Sequence, residues 1–197
     1  MRDLLLATRN QGKIRELKAL LGEINARLLT LGDLDIELEV EETGDSYSEN
    51  AARKATALAA ASDMLTLADD SGLEVQRLGG APGIYSARYS SKPGATDKDR
   101  RDYLLSKLQG FPKPWVASFR CVVALAVPGG ELFLAEGSCP GEIIAQERGQ
   151  AGFGYDPIFL LAQLGKTMAE LSMDEKNQIS HRAMAINAMI PILRENL

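Results

Sequence analysis

Residues 115–127 read WVASFRCVVALAV and residues 131–136 read ELFLAE, with only Pro128, Gly129 and Gly130 between them. A link this short can only reverse the chain, because a parallel neighbour needs a crossover of about a dozen residues or more. The two runs are therefore predicted to form a β-hairpin. Elsewhere strand-like and helix-like segments intermix. Residues 3–7 (DLLLA) read as a short buried strand, and residues 13–21 (KIRELKALL) as a helix with Ile14, Leu17, Leu20 and Leu21 on one face, ended by Gly22. Residues 36–40 (IELEV) alternate like a half-buried strand. S-Y-S-E at Ser46 predicts a capped helix running to about Ser62, and residues 64–69 a strand that ends in two aspartates. Thr96 to Asp99 starts another helix, and residues 142–146 offer a further strand. Ser172 with Glu175 caps one more helical segment, and an amphipathic helix runs from His181, interrupted at Pro191. Alternating strands and helices with one hairpin predict an α/β protein built on a mixed rather than a purely parallel sheet.

At 197 residues the chain is read as a single domain spanning 1–197, with room for two lobes. Its formal charge of −5 argues against a broad nucleic-acid surface but not against a small anionic ligand, which needs only a local positive cluster. No apolar run approaches the ~20 residues of a membrane span, and the apolar stretch in MRDLLLATRN is too short for a signal peptide. Cys121 and Cys139 have no CxxC spacing, so two buried thiols in a cytoplasmic protein are expected rather than a disulfide or a zinc site.

The stretch LADDSGLE, residues 67–74, sets two like charges side by side where a strand enters the core. Repulsion and desolvation both oppose that placement, and a bound cation would offset them. Glu41 and Glu42 similarly precede Thr43-Gly44. Carboxylates with no His or Cys cluster nearby favour a hard cation such as Mg²⁺. For the glutamates alone, exposed acids at a strand end would be the simpler account.

The first βα connection, ATRNQGK at residues 7–13, leads a strand into a helix N-terminus, where amides and the helix dipole suit a phosphate. Thr8 and Asn10 supply donors and Lys13 a full charge; an ordinary capped helix with a surface lysine is the alternative. It is not a P-loop, lacking the second glycine and the Ser or Thr after the lysine. Asn50 and Lys54 are four apart and share a helix face. Lys54 is then either a solvated lysine or a second positive group for phosphates. Towards the C-terminus, GFGYDP (152–157) offers Phe153 and Tyr155 as flat faces for a base. SHR (180–182) joins the chain's one histidine to Arg182, and Lys176 lies just before it.

Taken in order, ATRNQGK, EETG, ENA, ADDSGL, GGAPGIYSARY, GFGYDPIF and EKNQISHRA resemble the non-canonical purine nucleoside triphosphate pyrophosphatases, the inosine triphosphate pyrophosphatase family. The matching stretches run from residue 7 to 183; Ser46-Tyr47 stands where members often carry Thr-Phe. The resemblance implies two lobes around a long mixed sheet with flanking helices, the site in the cleft, and a Mg²⁺-dependent cytoplasmic homodimer. It implies hydrolysis of ITP, dITP or XTP to the monophosphate and pyrophosphate, which cleanses the nucleotide pool. By matching position, Thr8, Arg9, Asn10, Gln11, Gly12 and Lys13 hold the phosphates. Glu41 and Asp70 bind metal, and Asp70 is also the implied base. Ser71, Phe153, Gly154, Tyr155, Asp156, Lys176, His181 and Arg182 contact the nucleotide, with Asp69 and Lys54 in support. The substrate is thus a small-molecule triphosphate, with neither nucleic acid nor membrane as partner. The competing readings are a pyrophosphatase for other modified nucleotides and a nucleotide sensor that does not hydrolyse.

Overall fold

The computed structural model describes residues 2–197. Eight strands, β1 (Arg2–Leu6), β2 (Ala26–Thr30), β3 (Leu65–Val75), β4 (Pro82–Gly83), β5 (Trp115–Ala126), β6 (Leu132–Ile143), β7 (Phe159–Leu161) and β8 (Lys166–Thr167), form one sheet. Its order is β2-β1-β3-β5-β6-β7-β8, with β4 paired to β3. β1 is parallel to β2 and β3, whereas β3–β4, β6–β7 and β7–β8 are antiparallel, so the sheet is mixed as expected. The helices are α1 (Gln11–Leu20), α2 (Tyr47–Ser62), α3 (Asp97–Leu108), α4 (Met173–Ile179) and α5 (His181–Asn196).

The chain divides into two compact units: Met1–Asp70, Cys121–Gly137 and His181–Leu197 form one, and Ser71–Arg120 with Ser138–Ser180 the other. It changes unit at Asp70–Ser71 inside β3 and again at Ser180–His181, within two of the stretches singled out in the sequence.

In the first unit the inner strands β1, the first half of β3 and the second half of β5 are covered on both faces, which is why they read as apolar runs. Leu4, Leu6, Leu67, Cys121, Val123 and Leu125 pack with Leu17 of α1 and Ile186, Met189 and Leu193 of α5. The alternate residues, Leu5, Ala68, Val122, Ala124 and Ala126, pack with Ala51, Ala55, Leu58 and Ala59 of α2. The alanine run of α2 lets that helix lie close to the sheet. Its first turn is capped by Ser46, whose Oγ accepts from Glu49 N, and its end by Asp63 in the left-handed region at φ 54°.

In the second unit the first half of β5 buries only alternate residues. Trp115, Ala117 and Phe119 join Leu73, Val75, Leu104, Leu108, Tyr155 and Phe159 in a separate core. Full capping boxes start α3 (Thr96 with Asp99) and α4 (Ser172 with Glu175), as the sequence predicts.

Three expectations are corrected. Residues 36–40 are irregular rather than a strand, and Leu38 is exposed. Their alternation finds no neighbouring edge; the local contacts are Ile36 N donating to Leu31 O at 3.0 Å and Arg9 Nη2 donating to Ile36 O at 2.6 Å. β3 does not stop at the aspartates but runs on to Val75, so both acids lie inside a strand. α5 continues through Pro191 to Asn196 instead of breaking there.

Candidate active site

The pleat of β3 accounts for the acid pair. Successive side chains of a strand point to opposite faces. Asp69 follows Leu67 onto the α1–α5 face, and Asp70 follows Ala68 onto the α2 face. The two charges are thereby separated by the backbone, and each meets its own set of partners.

On the α1–α5 face, Asp69 is 1% exposed. Its Oδ2 lies 3.0 Å from Lys13 Nζ and accepts from Arg182 Nη2 at 3.0 Å and Nε at 3.3 Å. Arg182, also 1% exposed, spends its remaining nitrogen, Nη1, on buried Glu16 of α1. Cys121 Sγ approaches Asp69 Oδ2 at 4.0 Å. Burial alone would raise the Asp69 pKa, but Lys13, Arg182 and Lys54 outweigh it and hold the carboxyl well below its usual range. The Arg182 guanidinium loses to desolvation and gains more from Asp69 and Glu16, so it is held firmly cationic.

On the α2 face, Asp70 is 4% exposed and accepts from Asn50 Nδ2 at 3.0 Å. Asn50 Oδ1 accepts the Gly44 N–H at 2.8 Å, so one buried side chain joins the EETG loop to the acid. A Cβ on Gly44 would come within 2.8 Å of Asn50 Oδ1 and 2.7 Å of Glu49 Cβ, which explains the glycine. Lys54 is not solvated: its Nζ donates to Glu42 at 2.7 Å and to the Asp69 carbonyl oxygen at 2.6 Å. Burial and the nearby Glu42 raise the Asp70 pKa against the opposing pull of Lys54. Adjacent acids thus titrate in opposite directions, the arrangement that lets one carboxyl stay a fixed charge and the other exchange a proton.

The phosphate loop is an ordinary capped helix start in its local geometry. Asn10 Oδ1 accepts from Gly12 N at 2.8 Å and Lys13 N at 3.2 Å, and Thr8 Oγ1 accepts from Asn10 N at 3.2 Å. Arg9 and Gln11 are exposed. The first unit therefore brings Lys13, Lys54, Asp69, Asp70, His181 and Arg182 onto adjoining elements on the two faces of β3, with His181 buried at the start of α5. Glu41 is exposed, and Glu42 rather than Glu41 pairs with Lys54.

The second unit carries Ser71, Phe153, Gly154, Tyr155, Asp156 and Lys176. Lys176 Nζ donates to Asp156 Oδ2 at 2.6 Å, both side chains being 5% exposed, and lies 5.3 Å from the centre of the Phe153 ring. Asp156 Oδ2 also accepts the Phe153 N–H at 2.9 Å. Of the two rings expected to face a base, that of Tyr155 is packed in the core, and its hydroxyl donates to Ser86 O at 2.9 Å. The ring of Phe153 is half-buried. Ser86 in turn accepts from Leu73 N at 2.8 Å and donates to Gly83 O at 2.7 Å, so GGAPGIYSARY is a brace between β3 and the GFGYDP loop.

Sequence reasoning missed Glu16 and the pairing of Glu42. Glu16 was visible as an acid three residues after Lys13 beside the buried Ile14 and Leu17.

Among the described residues, no three His, Cys, Asp or Glu side chains gather into a metal cluster. Mg²⁺ needs fewer, since one or two carboxylates suffice when water and phosphate complete its shell. The donor set fits: Asp70 is buried on the α2 face in the field of Glu42. No described helix is long and apolar enough to cross a membrane.

The sequence model of the Ham1 family matches residues 4–192. A protein of Desulforamulus reducens named dITP/XTP pyrophosphatase is 46% identical over 191 residues, covering 96% of this chain and 94% of that protein. One of the same name from Bacillus subtilis is 43% identical and covers 98% of each. The solved structure of the Staphylococcus aureus Ham1 protein superposes with a TM-score of 0.87 at 40% identity, covering 100% of both chains.

Proposed function

The chain belongs to the Ham1 family, and on that premise we propose that it hydrolyses dITP, XTP and ITP to the nucleoside monophosphate and pyrophosphate. The observation that carries the reading is the split acid pair, Asp69 clamped by Lys13 and Arg182 and Asp70 steadied by Asn50 near Lys54. Two lysines beside two buried carboxylates suit a substrate that brings several negative charges and a divalent cation.

In this reading Thr8 to Lys13 and Lys54 take the triphosphate, and the lysines stabilise charge on the departing pyrophosphate. Asp70 and Glu41 would hold Mg²⁺, with Glu42 a further carboxylate beside Lys54. When bound, the cation supplies charge neutralisation and a water of lowered pKa. Asp70, its affinity for a proton raised by burial, accepts the proton of the attacking water. Asp69 stays ionised and keeps Lys13 and Arg182 in place.

The nucleoside end falls to Ser71, Phe153 to Asp156, Lys176, His181 and Arg182. Lysine and arginine only donate hydrogen bonds. A 6-oxo purine satisfies such donors and adenine, with an amine there, does not; an unpaired buried polar group costs ~1–3 kcal/mol. Lys176, beside the Phe153 ring, and Arg182 are the donors this reading sets against the base. The enzyme is read as a cytoplasmic homodimer, and its two buried thiols, which are not joined to each other, suit that compartment.

The test is pyrophosphate release with Mg²⁺ from dITP, XTP and ITP beside ATP and GTP at equal concentration. Preferential release from the first three supports the reading, and no release from any of them refutes it. Sedimentation of the purified protein decides the dimer.

A further inference from the structure

The backbone of Gly154, in the middle of GFGYDP, is gripped from both sides by the first two turns of α3. Asp97 Oδ2 accepts the Gly154 N–H at 2.8 Å. Arg101 Nη1 donates to the Gly154 carbonyl at 2.8 Å. Neither side chain is loose. The other oxygen of Asp97 is taken by Arg100, whose Nη1 donates to Ala95 O at 2.7 Å. The other two nitrogens of Arg101 form a fork on Glu147, at 3.0 Å each, and Arg101 is 9% exposed. The capping box of Thr96 and Asp99 fixes the turn that presents both residues.

Gly154 itself has φ +60°, and a Cβ there would meet nothing within 4 Å. Space is not what this glycine supplies; its backbone adopts a conformation that other residues resist. Such a turn, flanked by Gly152 at φ +77°, needs outside support to hold one shape.

Resting on the pyrophosphatase reading above, we infer that Asp97 and Arg101 are positioning residues for the nucleobase end of the site: by holding the N–H and C=O of Gly154 they set the place of Phe153 and, through Asp156, of Lys176. They act through the loop and touch no phosphate group. The consequence is asymmetric. Loosening the clasp weakens nucleotide binding, whereas the carboxylates and lysines that act on the phosphates belong to the other unit and keep their arrangement.

The experiment uses the full-length enzyme with Asp97→Ala, Arg101→Ala and the conservative Arg101→Lys, each checked for a native thermal transition. Steady-state kinetics with XTP and Mg²⁺ are read beside amide exchange of residues 153–156 in the nucleotide-free protein. Losing a charge-assisted bond predicts a KM raised about tenfold with kcat changed less than about threefold. Exchange at those amides should be faster in both alanine variants. Arg101→Lys, which keeps a donor for the Gly154 carbonyl, should recover part of the KM. Should an alanine variant fail to fold, Arg101→Lys and Asp97→Asn carry the same comparison. Unchanged KM and exchange, or a fall in kcat alone, would overturn the clasp. Wild-type enzyme that releases no pyrophosphate from XTP, dITP or ITP would overturn the catalytic reading and this inference with it, so the two failures are told apart by the wild type.

Discussion

Asn50 holds Asp70 at 3.0 Å with its side-chain amide while its carbonyl oxygen takes the Gly44 N–H. One residue, fully buried on α2, therefore orients an acid on β3 and an irregular loop at once. Asn50→Ala removes both bonds and leaves a buried N–H without its acceptor. The expected destabilisation is about 1–3 kcal/mol, with turnover falling more steeply than stability. Asn50→Asp keeps the acceptor for Gly44 but buries a second carboxylate against Asp70, so it should lose at least as much stability as alanine and recover no activity. Urea unfolding together with kcat/KM for XTP checks both.

Asp69 and Asp70 should separate cleanly under mutation. Asp70→Asn is expected to abolish pyrophosphate release with the fold intact. Asp69→Asn strips the counter-charge from Lys13 and Arg182 inside the core, a loss of about 3–5 kcal/mol. Thermal melting would show Asp69→Asn falling far below wild type and Asp70→Asn staying near it. The reverse order would overturn the division of roles.

Gly137 lies where α5 begins. A Cβ there would come within 2.8 Å of Met184 Cβ and 2.5 Å of Ala185 N, and closer still to the His181 carbonyl. Those neighbours are mostly backbone and cannot rotate away. Gly137→Ala should therefore destabilise by about 1–3 kcal/mol and shift the turn that carries His181 and Arg182. Comparing unfolding with turnover in the same samples tests this.

The two cysteines predict an alkaline limit. Burial pushes the thiol of Cys121 up to about 12 and that of Cys139 up to about 11, from an ordinary 9.0. A raised thiol pKa means the unfolded chain ionises first. The stabilising effect of burial is whole below pH 9 and shrinks as pH climbs from there towards the folded values. Melting temperature should fall across that window, and less steeply in Cys121→Ala. At pH 8 neither thiol should react with iodoacetamide until the protein is unfolded.

Where the sequence served well, the signals were local. Ser46, Thr96 and Ser172 each announce a helix start within three residues, and the alternation of Trp115, Ala117 and Phe119 is legible as one buried face. IELEV failed because alternation describes a strand only if an edge is available to pair with. Charge in LADDSGLE suggests a strand end, yet Asp69 meets Lys13 and Arg182 inside the fold and Asp70 meets the amide of Asn50, with Lys54 near. Those cations come from Lys13, Lys54 and Arg182, and spacing along the chain cannot reveal which face they reach. For the same reason spacing leaves Lys54 open between a solvated lysine and a second positive group, its partners Glu42 and the Asp69 carbonyl being 12 and 15 residues away. The flat face of Phe153 is legible in GFGYDP, whereas the role of Lys176 comes from the resemblance; the grip of Asp97 on Gly154, 57 residues apart, has no local signature.

The charge cluster around Asp69 also bears on how the first unit comes together. Arg182 is 113 residues from Asp69 and 166 from Glu16. A nascent chain holds α1 and β3 long before α5 exists. Until α5 docks, Asp69 and Glu16 lack their shared arginine, and drying them would leave charge uncompensated in an apolar interior. The last 17 residues, His181–Leu197, thus complete the core electrically as well as sterically. Shortening the chain at its C-terminus should leave a collapsed, hydrated first unit and no partial enzyme, because Asp69, Glu16 and Arg182 can be buried only together.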